Sequence, residues 1–267
     1  MTGTGALSLE PFIRQFGEQS VVGFMLVLAR VSPLFVLAPL FSSKLVPGRV
    51  RGIVAVALAV GLTPVVIRGQ HVPTGPWELG GMVGKELLVG LAFAYSVGAL
   101  FAAISVAGNL LDVSIGFSFG SLVDPVNGTQ STIISQAYSM MGLLIFIAIN
   151  GDAWVIKGLA RTYDLVPLTK SPALGSLTEG AQTAFSSIFL SAIQVAGPVL
   201  LATLLTDIAV GLISKVVPQL NVMAVGFPAK IAVGLLLIGV SLPFVAGWIA
   251  GGVQGSVSDA LRTLHVA

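Results

Sequence analysis

The sequence contains no cysteine, so no disulfide frame, thiol nucleophile or cysteine-ligated zinc site can be built from it. It is almost as poor in charge. Asp, Glu, Lys and Arg make up 9% of its 267 residues, where an ordinary soluble domain carries about 25%. A water-soluble chain of this length needs far more charged surface to stay dispersed, which excludes a free-standing soluble enzyme. The 13 basic and 11 acidic residues form no basic cluster, so nucleic acid is not an indicated partner. No H-E-x-x-H, Walker A or G-x-G-x-x-G pattern occurs, so metal hydrolysis, nucleotide hydrolysis and dinucleotide binding have no motif to stand on. A signal peptide is not expected either. Glu10, Arg14 and Glu18 mix charges near the start, Arg30 interrupts the first apolar run, and no A-x-A-like site follows.

What is present in excess is apolar: 55% of residues are hydrophobic and the mean hydropathy is +0.99. The apolar runs predict an all-α membrane protein of about six kinked helices. The first, 21–41, is long enough to cross about 30 Å of hydrocarbon, and Pro33 and Pro39 should bend it. Residues 53–67 follow a basic loop holding Lys44, Arg49 and Arg51, but this run reaches only about 22 Å. Runs 87–111 and 133–149 flank a Gly, Ser and Asp rich stretch, 112–132, that reads as a re-entrant loop. Charges return across 151–187, which is expected to face water. It separates an N-terminal part, 1–150, from a C-terminal helical hairpin, 188–267, built on runs 188–214 and 231–253. Basic residues favour the cytoplasmic side of short loops. That rule puts Lys44, Arg49, Arg51, Lys215 and Lys230 on one face, yet three Lys or Arg of 151–187 fall on the other.

Proline falls inside or beside nearly every run (Pro33, Pro39, Pro64, Pro198, Pro243). Each removes a backbone donor and frees a carbonyl, and an unpaired backbone group costs several kcal/mol in lipid. Broken helices persist where protein or a wet cavity satisfies them, so this chain is expected to pack against partners along much of its length. Small-residue spacings at Gly80 and Gly84, Gly116 and Gly120, and Gly247, Gly251 and Gly255 permit close helix contact, although apolar helices are often glycine-rich.

Residues 116–120, Gly-Phe-Ser-Phe-Gly, match the G-x-S-x-G nucleophile elbow. That motif needs a strand, a sharp turn and a helix, with a histidine facing the serine. Here the flanks are helical, and the histidines, His71 and His265, lie in a Pro and Gly loop and at the C-terminus. Asn127-Gly128-Thr129 matches a glycosylation sequon, a pattern that chance produces often. Three charges inside apolar runs carry more meaning: Arg30, Asp112 and Asp207. A charge at the bilayer centre costs at least about 2.5 kcal/mol and needs a partner or water. They read as charges paired with neighbouring subunits or at helix ends in preference to an ion relay. Asp207 and Lys215 would stand about 80° apart around one helix and about 12 Å along it, so Asp207 needs another partner.

Three blocks together resemble the FliR family of export-gate subunits, whose counterparts serve injectisome type III secretion: ARVSPLFVLAPLFSSKLVPGRVR (29–51), GNLLDVSIGFSFGSLVDPVNG (108–128) and DIAVGLISKVVPQLNVMAVGFPAK (207–230). The resemblance covers essentially the whole chain, and VGFP favours the flagellar branch. Two departures stand out. Asn150-Gly151-Asp152 occupies the place of the family's usual Asn-Gly-His, and Met223 that of a Phe.

The resemblance implies a subunit without enzymatic activity or cofactor, in the bacterial inner membrane within the flagellar basal body. It implies assembly with FliP and FliQ into a closed pore, FlhB and FlhA as neighbours, and unfolded flagellar subunits as cargo. The 1–150 part resembles a FliP-type unit, with a plug loop at 112–130, and the 188–267 hairpin a FliQ-type unit. The plug residues would be Gly116, Phe117, Ser118, Phe119 and Gly120. Pro39, Pro47, Asp124, Pro125, Pro218, Gln219, Asn221, Gly226 and Pro228 would be packing or turn residues of the family motifs. The competing reading is an ion-coupled small-solute transporter, which commonly shows paired repeats with matching broken helices; no convincing internal repeat is found.

Overall fold

The computed structural model describes residues 17–38, 41, 46–68, 75–118, 133–217, 219 and 222–264, and the regular elements among them are all α-helices. Helix α1 (Glu18–Val31) stops at Ser32 and Pro33, and a single turn, α2 (Leu34–Leu37), continues it. Pro33 has no N–H for the carbonyl of Ala29, and the Ser32 hydroxyl donates to that carbonyl instead at 3.1 Å. Helix α3 (Gly48–Val66) packs against α1. Its 19 residues reach about 28 Å, which corrects the expectation of a run too short to span. Arg49 and Arg51 belong to its first turn and not to a loop, because a cation at an exposed helix end stays solvated; Arg51 Nε also donates to the Val46 carbonyl at 3.1 Å.

Three helices are much longer than their apolar runs: α4 (Pro76–Ile115), α7 (Leu174–Val216) and α8 (Val222–Arg262), with 40, 43 and 41 residues. Each measures about 60 Å or more, roughly twice a hydrocarbon core. Contrary to the expectation from proline placement, Pro64, Pro198, Pro228 and Pro243 lie inside α3, α7 and α8 without ending them. An interior proline removes one hydrogen bond from a ladder of many, and its own φ is helical. Between α4 and α7 lie α5 (Ile133–Ala148) and α6 (Gly151–Leu165), bent by 73°. Asn150 makes the corner with φ 54°, a left-handed conformation that Asn tolerates, and its carbonyl accepts the first amides of α6, from Ala153 at 3.1 Å and Trp154 at 3.4 Å. By length and composition five helices can cross a membrane, or six if α5 and α6 count as one broken span.

The 151–187 segment, expected to face water, exposes most of its charges from within helices. It is helical over most of its length, and Val155, Leu159, Thr162, Tyr163, Val166 and Leu168 are buried while Lys157, Arg161 and Asp164 are exposed. The charges mark one face of an amphipathic helix.

The chain forms two compact units, neither a continuous stretch: 1–95 with 155–181 and 258–267, and 96–154 with 182–257. In the first, Val89, Val166 and Leu264 pack together with Leu177 against them, and Leu26, Val27, Val31, Leu34 and Phe93 are fully buried. In the second, Ile104, Leu111, Ile115, Phe146 and Ile249 are buried, and Phe101 meets Phe146 edge-to-face at 5.4 Å between centroids. On α4 the buried positions recur every three or four residues from Glu86 to Ile115, the stripe of a core helix.

Candidate functional site

The second unit contains the start of the loop singled out from the sequence. Helix α4 ends at Ile115, and Gly116 turns the chain with φ 103°, a conformation suited to glycine. A side chain at 116 would also meet the ring of Phe227 at 2.6 Å. The Gly-Phe-Ser segment and the Val-Gly-Phe-Pro segment, more than a hundred residues apart in sequence, therefore touch. About two turns along α8 from that contact, a side chain at Gly234 would meet Ile115 at 2.6 Å, so α8 lies close over the end of α4. Phe117 and Ser118 are partly exposed; Phe119 and Gly120 lie outside the described residues.

Asp112 sits at the base of this loop, wholly buried on the last turn of α4. Its carbonyl accepts the amides of Gly116 at 3.1 Å and Ser118 at 3.4 Å. Its carboxylate reaches the other side of the loop, where Oδ1 accepts the Ile134 amide at 3.2 Å and Oδ2 the Ser135 amide at 2.9 Å. These are orphan donors at the start of α5, where a negative charge also complements the helix dipole. Gly108 admits the Ser135 backbone so closely that a side chain there would collide with it. The Ser135 hydroxyl donates to the Ser105 carbonyl at 3.1 Å and lies 3.4 Å from the Ser105 hydroxyl.

Arg30 belongs to the first unit, and its polar groups are satisfied inside this chain. Nε donates to Glu86 Oε2 at 2.5 Å, one terminal nitrogen to the Thr162 hydroxyl at 3.2 Å, and the other to the Val166 carbonyl at 2.8 Å. The Tyr163 ring lies 4.1 Å from the guanidinium carbon. Lys85 donates to the Leu168 carbonyl and stands 3.6 Å from Glu86 Oε1. Two cations thus face one buried carboxylate and the carbonyls just past the end of α6, where positive charge is favoured. The arrangement is a tie between α1, α4 and α6. Glu86 escapes a reading of the sequence because it abuts the apolar run 87–111 and looks like its flank. The available signal was a lone buried arginine that required a lone acid.

In this chain by itself the Asp207 side chain is 52% exposed and pairs with Lys230 Nζ at 2.6 Å. Lys230 lies on the opposing helix of the hairpin, and Gly226 lets α8 approach Val210 of α7 one turn away. Of the other motif residues, Pro47 directly precedes α3, Gln219 is exposed between α7 and α8, and Pro228 lies inside α8. Pro39, Asp124, Pro125, Pro218 and Asn221 fall outside the described residues. Among the described residues no group of His, Asp and Glu is placed to hold a metal ion.

A membrane chain with buried charges bonded inside it and a tethered glycine-phenylalanine segment fits a known class. The profile of "Bacterial export proteins, family 1" matches residues 21–255. The chain belongs to this family. It is similar to the flagellar biosynthetic protein FliR of Bacillus subtilis (strain 168), with 31% identity over 80% of this chain and 84% of the relative. FliR of Escherichia coli (strain K12) is 29% identical over 82% and 84%. The Yop proteins translocation protein T of Yersinia pestis is 28% identical over 83% and 86%. The export-family assignment agrees with the resemblance drawn from the three sequence blocks, and it describes a membrane component of a bacterial export apparatus and not a family of enzymes.

Proposed function

We propose that this export-family chain is a non-enzymatic subunit of the flagellar type III export gate in the bacterial inner membrane. It assembles with FliP and FliQ into a closed channel through which unfolded flagellar subunits leave, with FlhB and FlhA as neighbours. The observation that carries this reading is the bareness of the α7 and α8 hairpin. Large apolar side chains stay exposed on α7 from Phe185 to Val216, a rise of about 46 Å along the helix. Lipid covers about 30 Å, and no ordinary tilt of a helix closes that gap. Apolar surface beyond the hydrocarbon needs protein against it. In this reading the hairpin is the FliQ-like part, the first 150 residues the FliP-like part, and companion subunits supply the cover.

The loop at 116–120 is the plug of that channel. A closed protein-conducting pore must stop ions yet yield to a chain, and a hydrophobic constriction excludes water while remaining displaceable. Phe117 and Phe119 supply the bulk, and the glycines at either end supply a support that can move.

Two experiments test this. Expressed with FliP and FliQ, the chain should be extracted from membranes as a stable complex, and expressed alone it should be degraded or aggregate. A solitary monomer, folded in a lipid nanodisc and moving a small solute, makes it a transporter instead. With the gate proteins co-expressed, replacing Phe117 and Phe119 together by Gly should make the membrane leak small ions; unchanged conductance removes the plug assignment.

A further inference from the structure

We infer that Asp112 is a clasp between the end of α4 and the start of α5: its carbonyl holds residues 116 and 118, its carboxylate holds residues 134 and 135, and so one residue fixes where the chain leaves α4 and where it enters α5. Four hydrogen bonds make the case. The near-end bonds, to the amides of Gly116 and Ser118, are backbone interactions that any residue at 112 could make. The far-end bonds are not. Both carboxylate oxygens are committed to the amides of Ile134 and Ser135, and the side chain is fully buried with no cation bonded to it among the described residues. A buried carboxylate without a counter-ion is costly unless backbone donors and a helix N-terminus satisfy it, and here they do. The residue is expensive to bury and specific to one geometry, which is what a positioning group at the mouth of a loop requires. Ser105 and Ser135 add a second contact between α4 and α5 one step deeper, so the carboxylate closes a seam that begins there.

Two consequences follow. The first concerns the clasp alone: losing the carboxylate frees the amides at 134 and 135 while leaving the rest of α5 folded. The second rests on the plug reading: with the far end released, Phe117 no longer sits in one place and the resting channel leaks.

The test uses the full chain co-expressed with FliP and FliQ, in membrane vesicles, with amide exchange and ion conductance both recorded. Asp112→Ala should speed exchange at 134 and 135 roughly tenfold or more, as expected for loss of hydrogen bonds to a charged acceptor, and should raise conductance severalfold. Because the chain has no cysteine, S105C/S135C added to Asp112→Ala can be cross-linked without competition, and the two hydroxyls already lie 3.4 Å apart. Oxidation should return both readings toward wild type, and reduction should undo the rescue in the same sample. Exchange at the amides further along α5 should stay at the wild-type rate, whereas a merely destabilised fold would speed exchange there as well. Should Asp112→Ala fail to accumulate, Asp112→Asn, which keeps the shape and one acceptor, carries the same measurements.

Unchanged exchange at 134 and 135, or a leak that oxidation leaves untouched, overturns the clasp. If the Phe117 and Phe119 double variant does not leak, the plug reading falls, and exchange alone then decides the clasp: faster exchange restored by oxidation upholds it, and unaltered exchange rejects it.

Discussion

Helices α4 and α8 are nearly equal in length and their apolar stretches have the same mean hydropathy, yet 56% of that stretch is buried in α4 and 11% in α8. Composition is therefore not what makes α4 a core helix. The difference lies in its attachments. Helix α4 carries Glu86 and Asp112, each bonded to backbone or side chains of another helix, and Gly90 and Gly108, where neighbouring backbone comes too close for a side chain. Helix α8 also has close approaches, at Gly226, Gly234 and Gly252, but its ion pair is partly exposed and Gly239, Gly247, Gly251 and Gly255 along it face open space. The first helix is finished by its own chain. The second keeps its apolar surface for something else, which fits a subunit of a larger assembly.

The comparison can be broken most forcefully at Arg30. Arg30→Ala leaves Glu86 buried with only Lys85 near it and should destabilise the chain by about 3–5 kcal/mol, seen as a collapse of folded protein in detergent. Arg30→Met with Glu86→Leu should recover part of the loss, because it removes both ions together. Next comes glycine. Gly90→Ala drives a methyl group into the Arg30 backbone and should cost about 2 kcal/mol by overpacking, measured as a lower thermal midpoint. Gly239→Ala meets nothing within 4 Å and should raise the stability of the separate chain by about 0.5–1 kcal/mol through helix propensity. If the two alanines act alike, the contrast between α4 and α8 fails.

A smaller effect on folding separates the helices more sharply. Leu236 and Val240 are 65% and 68% exposed on α8, so replacing both by Ser should shift the stability of the separate chain by no more than about 0.5 kcal/mol per site. The same pair should cut recovery with partner subunits about tenfold, the equivalent of about 1.4 kcal/mol. Equal recovery would mean that α8 faces lipid alone. The smallest change belongs to the hairpin ion pair: Asp207→Asn should alter stability by under about 1 kcal/mol, and concentrated salt should shrink even that.

Much of this was legible before any coordinates. The apolar runs located each long helix, and Arg30 and Asp112 stood out as charges that must be answered within apolar surroundings. The errors share one cause. Arg49 and Arg51 read as part of a loop, and the prolines as breaks in their helices, because one residue's polarity or missing donor reads as the state of its whole segment. In the folded chain those cations occupy the outer face or first turn of helices whose other faces are buried, and the prolines sit in ladders that continue past them. Glu86 and Phe227 were illegible for another reason. Their roles depend on Arg30 and Gly116, 56 and 111 positions away, and no local pattern encodes such a meeting.

The sequence by itself determined an all-helical membrane protein of the export family, with a glycine-bounded aromatic loop and charges that could not remain unanswered. Those properties follow from transfer free energies and backbone chemistry, which each residue carries wherever the chain goes. Only the tertiary structure decided that Arg30 is answered by Glu86, that Asp112 holds amides on both sides of its loop, and that of two equally apolar helices one is spent on the chain's own core. Pairing depends on distances between atoms remote in sequence, and close approach exists only once the helices have packed.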